Sequence, residues 1–466
     1  MEFKNQKLEE FEKKLKTQKI AVIGLGVSNI PLLEYLKEKQ AQVTIFDDKD
    51  ESKIENNILE KIKSYGFEYH FGENSLLELK GFDLIFRSPS CLPTTPELLA
   101  EKARGAVVTT EIEQLIKMAP CKIIGITGSD GKTTTTTLTY EVIKNAGYTC
   151  HLGGNIGIPL FTKLNEMRPE DIIVLELSSF QLMEMDVSPD ISAITNITPN
   201  HLNIHKDFQE YVDAKKNIYT NQNENGILVL NADNEITQSC KSEANGKVIL
   251  FSSNQKLENG FIVDEGIIKE CEDGIRKHII STKDLKIKGM HNYQNICTVL
   301  ALTKTLVNTE QAIETIKEFT GVHHRLEFVR NINGVEWYND SASTSPTRGI
   351  SALNAFDKEI VLIAGGADKN LDYTPIGKPI VEKVNKLILI GQTATKIYDA
   401  VKKELEVQNK QLDIHMCETF KQSLELAKRL AKPGQVVLFS PASTSFDMFK
   451  DMYDRGDQFK KEVNKL

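Results

Sequence analysis

The most constraining stretch is residues 121–137, Cys121-Lys-Ile-Ile-Gly-Ile-Thr-Gly-Ser-Asp-Gly-Lys-Thr-Thr-Thr-Thr-Thr137. An apolar run breaks into glycines and then into Gly131-Lys132-Thr133, which reads as strand, phosphate loop and helix. Gly125, Gly128 and Gly131 let the backbone turn tightly enough for Gly128, Ser129, Asp130 and Gly131 to aim N–H groups at phosphate oxygens. Lys132 adds a point charge for the outer phosphates. Thr133, followed by Thr134, offers a hydroxyl for Mg²⁺ at the start of a helix whose dipole favours anions. The strict pattern G-x-x-x-x-G-K-[ST] asks for glycine at 126, where this chain has Ile126. A glycine turn before an ordinary helix is the bland alternative; the flanking strand and helix favour ATP or GTP.

The chain has 466 residues, too many for one core, so about three domains are expected. With 40% hydrophobic and 26% charged residues it reads as globular, and a net charge of −8 argues against general nucleic-acid binding. No apolar run approaches the length of a membrane span, and the charged start does not resemble a signal peptide. Seven cysteines without a C-x-x-C pair fit reduced thiols, so a cytoplasmic protein is expected.

From the start, Leu8, Phe11 and Leu15 at helical spacing predict a short amphipathic helix. The strand Lys19–Gly24 then runs into Gly24-Leu-Gly-Val27-Ser28-Asn29 and a helix, and a second strand, Val43–Phe46, ends in Asp47-Asp48. This is a Rossmann-like opening whose third glycine is replaced by Asn29. A dinucleotide site is one reading; a loop holding another nucleotide's diphosphate, with Asp47 nearby, is the more economical one. A third strand, Asp83–Phe86, precedes the turn-rich loop Arg87-Ser-Pro-Ser-Cys-Leu-Pro93. A domain boundary is expected near residue 112.

Beyond the phosphate loop, Gly153-Gly-Asn155-Ile-Gly157 presents one amide side chain and by itself reads more readily as a simple turn. The strand Asp171–Glu176 ends in a carboxylate where open α/β sheets place ligands, and a single carboxylate suffices to hold Mg²⁺ with its waters. The strand Ile191–Asn196 leads into Thr198-Pro-Asn-His201-Leu, so His201 joins the same rim. Tyr211–Thr220 reads as a helix carrying Lys215 and Lys216, by themselves an ordinary solvated basic face. Residues 260–287 alternate in β fashion.

These segments together resemble the Mur ligases. The resemblance rests on Gly125-Ile-Thr-Gly-Ser-Asp-Gly-Lys-Thr-Thr, Gly153-Gly-Asn-Ile-Gly, Glu176-Leu-Ser178-Ser-Phe-Gln-Leu, Asn196-Ile-Thr-Pro-Asn-His-Leu and Tyr211-Val-Asp-Ala-Lys-Lys. It continues through His291-Asn292-Tyr-Gln-Asn295, Gly321-Val-His-His-Arg325, Trp337-Tyr-Asn-Asp340-Ser, Gly365-Gly-Ala-Asp-Lys369 and Ser440-Pro-Ala-Ser-Thr-Ser445-Phe446-Asp-Met-Phe. It covers essentially the whole chain and implies three α/β domains. These are a Rossmann-like domain for a UDP-linked substrate (1–112), a P-loop ATPase-like domain (113–320) and a Rossmann-like amino-acid domain (321–466).

The branch of the family most resembled adds D-glutamate to UDP-N-acetylmuramoyl-L-alanine in peptidoglycan precursor synthesis. The resemblance therefore implies a cytoplasmic, monomeric ATP- and Mg²⁺-dependent ligase working through an acyl phosphate. Thr133 and Glu176 would hold Mg²⁺, with His201 at a second metal or the substrate carboxylate. Lys215 aligns with the family's carbamylated lysine, with Lys216 one register step away. Asn292, Asn295, Arg325 and Asp340 would position ATP; Val27, Ser28 and Asp47 would face uridine diphosphate; Asn155 and Ser178 would face the muramoyl-alanine end. Thr344, Lys369, Ser445 and Phe446 would surround D-glutamate. Three departures are Ser129-Asp130 for the commoner Thr-Asn, Ser90-Cys91 for Gly-Ile, and Ala342 where a lysine is usual, with Arg348 as a substitute. The rival readings are a sister ligase or folylpolyglutamate synthase, a non-catalytic nucleotide-binding regulator, and a nicotinamide dehydrogenase.

Overall fold

A computed structural model describes residues 3–54, 56–199, 204–356, 358–369 and 371–466. The chain divides into two compact units, Met1–Phe319 and Thr320–Leu466. Three sheets, all mainly parallel, make it an α/β protein.

The first sheet contains β1 (Lys19–Ile23), β2 (Gln42–Asp47), β3 (Glu68–Phe71), β4 (Leu84–Arg87) and β5 (Val107–Thr109), in the order β3-β2-β1-β4-β5. The alternation of a strand divides its two faces. Ile20 and Val22 of β1 join a core with Leu8, Leu15, Leu32, Leu36 and Phe161, whereas Ala21 and Ile23 join Phe46, Ile85 and Leu98. The order reverses between β1 and β4, so the loops after these strands flank one crevice at the sheet's C-terminal edge.

The second sheet contains β6 (Lys122–Thr127), β7 (Cys150–Gly154), β8 (Ile172–Glu176), β9 (Ile191–Ile194), β10 (Ile227–Asn231), β11 (Lys247–Ser252), β12 (Gly260–Asp264), β13 (Ile267–Glu272) and β14 (Ile275–Ser281). Its order is β14-β13-β12-β11-β10-β9-β6-β8-β7, parallel up to β12, with the last two strands added as an antiparallel meander. Strands β6 and β8 lie side by side as near-continuous apolar runs, as strands covered on both faces must. The helix Lys132–Asn145 packs against the helix Met290–Thr303, whose residues Asn295–Thr303 are all buried.

The second unit holds β15 (Glu327–Ile332), β16 (Val335–Asn339), β17 (Ile360–Ala364), β18 (Val384–Leu389), β19 (Asp413–Met416) and β20 (Val436–Phe439), in the order β15-β16-β20-β17-β18-β19. Only β15 and β16 pair antiparallel. One face carries Leu362, Leu387 and Leu438, the other Val361, Trp337 and Val437.

Two local expectations shift. The helix expected over 211–220 runs Phe208–Lys216, because Asp207 caps it by accepting from the Glu210 N–H at 2.8 Å. Gly153-Gly154, read as part of a turn, belongs to strand β7 and pairs with Leu175 and Glu176. Among the described residues no helix is long and apolar enough to cross a membrane.

Candidate functional site

The loop after β6 is shaped by contacts that only glycine permits. A Cβ on Gly128, at φ +149°, would stand 1.9 Å from Thr195 Oγ1, and one on Gly131, at φ +79°, would stand 2.4 Å from Asn295 Oδ1. The neighbouring strand end binds the loop down. Ser129 N donates to Asn196 O at 2.8 Å, Asp130 N to Asn196 Oδ1 at 3.0 Å, and Thr195 Oγ1 to Asp130 O at 2.6 Å. Lys132 Nζ lies over the loop, donating to Gly128 O at 2.8 Å and Ser129 O at 2.9 Å. Thr133 and Thr134, both half-buried, occupy the first turn of the helix that Gly131 opens. The Ser129 and Asp130 N–H groups, expected to face phosphate, are instead taken up by Asn196, so what this loop offers an anion is the helix start and the Lys132 ammonium group. Asn295 comes to it from the second helix, with Asn292 one turn earlier.

Glu176, at the end of β8, is 1% exposed. Its Oε1 accepts from Asn155 Nδ2 at 2.7 Å, while Oε2 is buried with no hydrogen-bond partner. A buried carboxylate oxygen left so is costly unless a cation meets it. Asn155 is also fixed through its own N–H, which donates to Glu176 O at 2.8 Å. Among the described residues no three His, Cys, Asp or Glu side chains cluster as a metal site. The donor here is instead a single carboxylate oxygen, which suits a hard ion that keeps most of its water. Ser178 opens the helix Ser179–Leu182 in a capping box with Gln181.

Lys215 is 1% exposed and donates from Nζ to Gly128 O at 2.8 Å, with its ammonium 4.6 Å from the centre of the Tyr211 ring. Burial, and then the charge of Lys132, hold the amine well below its ordinary pKa. Lys216 points elsewhere and pairs with Glu243 at 2.7 Å. Tyr211 reaches Ser129 Oγ at 2.9 Å. His201 falls outside the described residues. Downstream, His205 is buried, bridges Ser179 Oγ at 2.9 Å and Glu210 Oε2 at 3.2 Å, and stacks on Phe180. It was not singled out in the sequence, where nothing marks it as buried.

In the first sheet, Asp47 accepts from Leu25 N at 2.7 Å and Lys49 N at 3.0 Å, so it orders the glycine loop. Asn29, in place of the third glycine, is 2% exposed and donates to Ile23 O and Gly24 O, each at 2.9 Å. Val27 stands 79% exposed on the loop, with Ser28 half-buried beside it. Arg87, buried at the end of β4, donates to Cys91 O at 3.2 Å and across to Met183 O at 2.9 Å. One guanidinium thereby joins the first sheet's loop to the segment after β8.

In the second unit, Asp340 follows β16 and accepts from Ser440 Oγ at 2.7 Å and Leu326 N at 3.2 Å. Burial pushes its pKa up to about 7, against the pull of these bonds and of nearby Arg325 and Arg348. Arg348 Nη1 donates to Ala342 O at 2.9 Å. Lys369, after β17, lies 5.6 Å from the centre of the exposed Phe446 ring, next to buried Ser445 in the loop after β20. Thr344, half-buried, lies in the loop after β16.

The chain matches the Mur ligase MurD-like N-terminal domain over residues 18–110, the Mur ligase middle domain over 126–303 and the Mur ligase glutamate ligase domain over 324–443. It is 45% identical over 464 residues to the UDP-N-acetylmuramoylalanine–D-glutamate ligase of Acetivibrio thermocellus, covering 99% of each chain. It is 44% identical over 464 residues to that of Clostridium tetani, covering 99% of this chain and 100% of the other. Two crystal structures share the fold. MurF from Acinetobacter baumannii has a TM-score of 0.56 at 14% identity, covering 98% of both chains. The UDP-N-acetylmuramate–alanine ligase MurC from Thermotoga maritima has a TM-score of 0.53 at 18% identity, covering 96% of this chain and 99% of that one.

Proposed function

The chain belongs to the Mur ligase family, and from that premise we infer that it joins D-glutamate to UDP-N-acetylmuramoyl-L-alanine in peptidoglycan synthesis, using ATP. A carboxylate resists attack by an amine because its oxygen leaves poorly. The L-alanine carboxylate therefore first takes the γ-phosphoryl group of ATP. The D-glutamate amine then attacks the acyl phosphate, and amide, ADP and phosphate result. Phosphoryl transfer is mainly positioning and charge neutralisation.

The observation that carries this reading is the loop after β6, where Lys132 stands at a helix start and the preceding strand pairs with β8, which ends in Glu176 with its partnerless Oε2. Thr133 and Glu176 would hold Mg²⁺, which when bound neutralises phosphate charge. Asn155 orients the carboxylate. Lys132 offsets charge on the transferred group, and Asn292 and Asn295 flank the nucleotide. Lys215, whose burial and the nearby charge of Lys132 lower its pKa and so favour loss of its proton, is suited to take up CO₂: the free amine's nitrogen bonds to carbon, a proton leaves to solvent, and the resulting carbamate would add an anion beside the metal. Lys216 lacks that setting because it pairs with Glu243.

The roles of His201 at a second metal, and of Arg325 and Asp340 at ATP, rest on the resemblance. Val27, Ser28 and Asp47 would face uridine diphosphate, with Ser178 at the muramoyl end. Thr344, Lys369, Ser445 and Phe446 would receive D-glutamate, where Lys369 offers a cation for a carboxylate. Domain boundaries near 112 and 320 belong to the same proposal, supported by the end of β5 at Thr109 and by the division after Phe319. So do cytoplasmic residence and action as a monomer.

The test is phosphate release from ATP and Mg²⁺ with UDP-N-acetylmuramoyl-L-alanine, comparing D-glutamate, L-glutamate, L-alanine and diaminopimelate. Turnover with D-glutamate alone, lost in Lys132→Ala, is expected. Turnover with another amino acid would move the chain to a sister activity, and none at all would leave a nucleotide-binding regulator.

A further inference from the structure

Arg455 lies on the helix Met452–Val463 and is 1% exposed, among the largest fully buried side chains described. Its hydrogen bonds go to neutral oxygens, while the carboxylates of Asp447 and Asp340 are its charged neighbours. Nε donates to Ser341 Oγ at 2.9 Å and Nη2 to Ser341 O at 2.8 Å, while Nη1 donates to Ser443 O at 3.0 Å and Thr444 O at 2.9 Å. Ser341 belongs to the loop after β16, and Ser443 and Thr444 to the loop after β20. Thr444 O also accepts from Ala367 N at 2.9 Å, so the loop after β17 is tied to the same point two residues before Lys369.

Such a cation is an expensive way to hold a core together, since an apolar side chain of similar volume usually serves stability as well or better. Its depth depends on a special backbone approach: a Cβ on neighbouring Gly456 would stand 2.0 Å from His324 Nδ1, and one on Gly366 3.2 Å from Arg455 Nη1. What the cation achieves is geometric. A planar fork of five donors fixes several acceptors in set directions, which the rotatable donors of a lysine do not. The carbonyls of Ser443 and Thr444 that it fixes immediately precede Ser445 and Phe446 in the same loop.

We propose that Arg455 is a positioning residue for the amino-acid substrate: its hydrogen bonds draw the loops after β16 and β20, and through Thr444 the loop after β17, into register. This rests on the assignment of Lys369, Ser445 and Phe446 to D-glutamate. A helper of this kind acts through the pocket's shape, so its loss weakens substrate binding more than turnover.

The test measures KM for each of the three substrates, kcat and the melting temperature in the full chain for Arg455→Met, Arg455→Lys and Ser341→Ala, with Lys369→Ala as reference. Arg455→Met is expected to raise KM for D-glutamate by about 10–100-fold, the worth of charge-assisted hydrogen bonds, with the KM for ATP unchanged. Arg455→Lys should recover part of that loss by restoring donors without the fork. Ser341→Ala, which removes one acceptor and keeps the arginine, should raise the same KM by a smaller factor and decides the matter if Arg455→Met does not fold. A D-glutamate KM unchanged in the Arg455 and Ser341 variants but raised in Lys369→Ala would overturn the inference. An unchanged KM in Lys369→Ala would instead overturn the assignment of the amino-acid site. A fall in melting temperature with KM unchanged would reduce Arg455 to a structural residue.

Discussion

Asn155 donates to one oxygen of Glu176 at 2.7 Å and leaves the other buried without a partner. The amide thus holds the carboxylate in one orientation with a single lone-pair face open. Asn155→Ala should raise the Mg²⁺ concentration required by about 10–100-fold, as loss of an orienting partner does. Glu176→Gln should lose more, because the amide cannot supply the anion. Titration of ATP turnover with Mg²⁺ reads both, and equal metal requirements in wild type and Asn155→Ala would refute the role.

Gly131 allows no larger residue. Gly131→Ala places a methyl against Asn295 Oδ1 at a φ of +79°. Left-handed backbone alone costs an L-residue roughly 1–2 kcal/mol. With the Asn295 amide displaced as well, nucleotide affinity should fall at least about tenfold. A fluorescent ATP analogue measures this directly; unaltered affinity would mean the loop does not cradle phosphate.

Glu111 makes stability depend on pH. Its carboxylate is buried at the start of the helix Glu111–Met118, accepts from Phe161 N at 2.9 Å, and has its pKa raised by burial from 4.5 to about 7. Between those values the folded form binds the proton and the unfolded form does not, so stability falls as pH rises through the window. Glu111→Gln cannot ionise and keeps an acceptor. Its advantage over wild type should grow from pH 5 to pH 8, to on the order of 1–3 kcal/mol. Denaturation at both pH values decides, and a constant difference would exclude the mechanism.

Asn29→Gly would restore the glycine pattern of a dinucleotide loop yet remove two buried hydrogen bonds. We expect a loss of about 1–3 kcal/mol and no gain of NADH binding, since the crevice is organised around Asp47 accepting from Leu25 N. Tight NADH binding, seen by fluorescence, would revive the dehydrogenase reading.

The phosphate loop was legible because its glycines, lysine and threonine are each required by local geometry. Residues whose role depends on distant partners were not. Lys215 and Lys216 look alike in sequence, and only the fold buries one and pairs the other with Glu243. Gly153 reads as a turn, but it is a strand residue kept small because a Cβ would stand 2.7 Å from Leu160 Cδ1. Arg455 shares a helix face with buried Phe459 and Val463, four and eight residues on, and that spacing is the one sign that it points inward.

The two faces of β1 have different fates during synthesis. Ala21 and Ile23 close over partners in or next to the first sheet, all of them made by residue 108. Ile20 and Val22 belong to a core that also includes Phe161, Leu230 and Cys240. Most of that face is nevertheless covered by early residues, Leu8, Leu15, Leu32, Leu36, Leu84 and Phe86. What a nascent chain ending near residue 110 still lacks is Phe161, whose ring packs edge-on against Phe11 and Tyr35. At roughly 5–20 residues per second the next roughly fifty residues take roughly 3–10 seconds. Ribosome-bound chains stalled before Phe161 emerges should be more aggregation-prone than chains stalled after it.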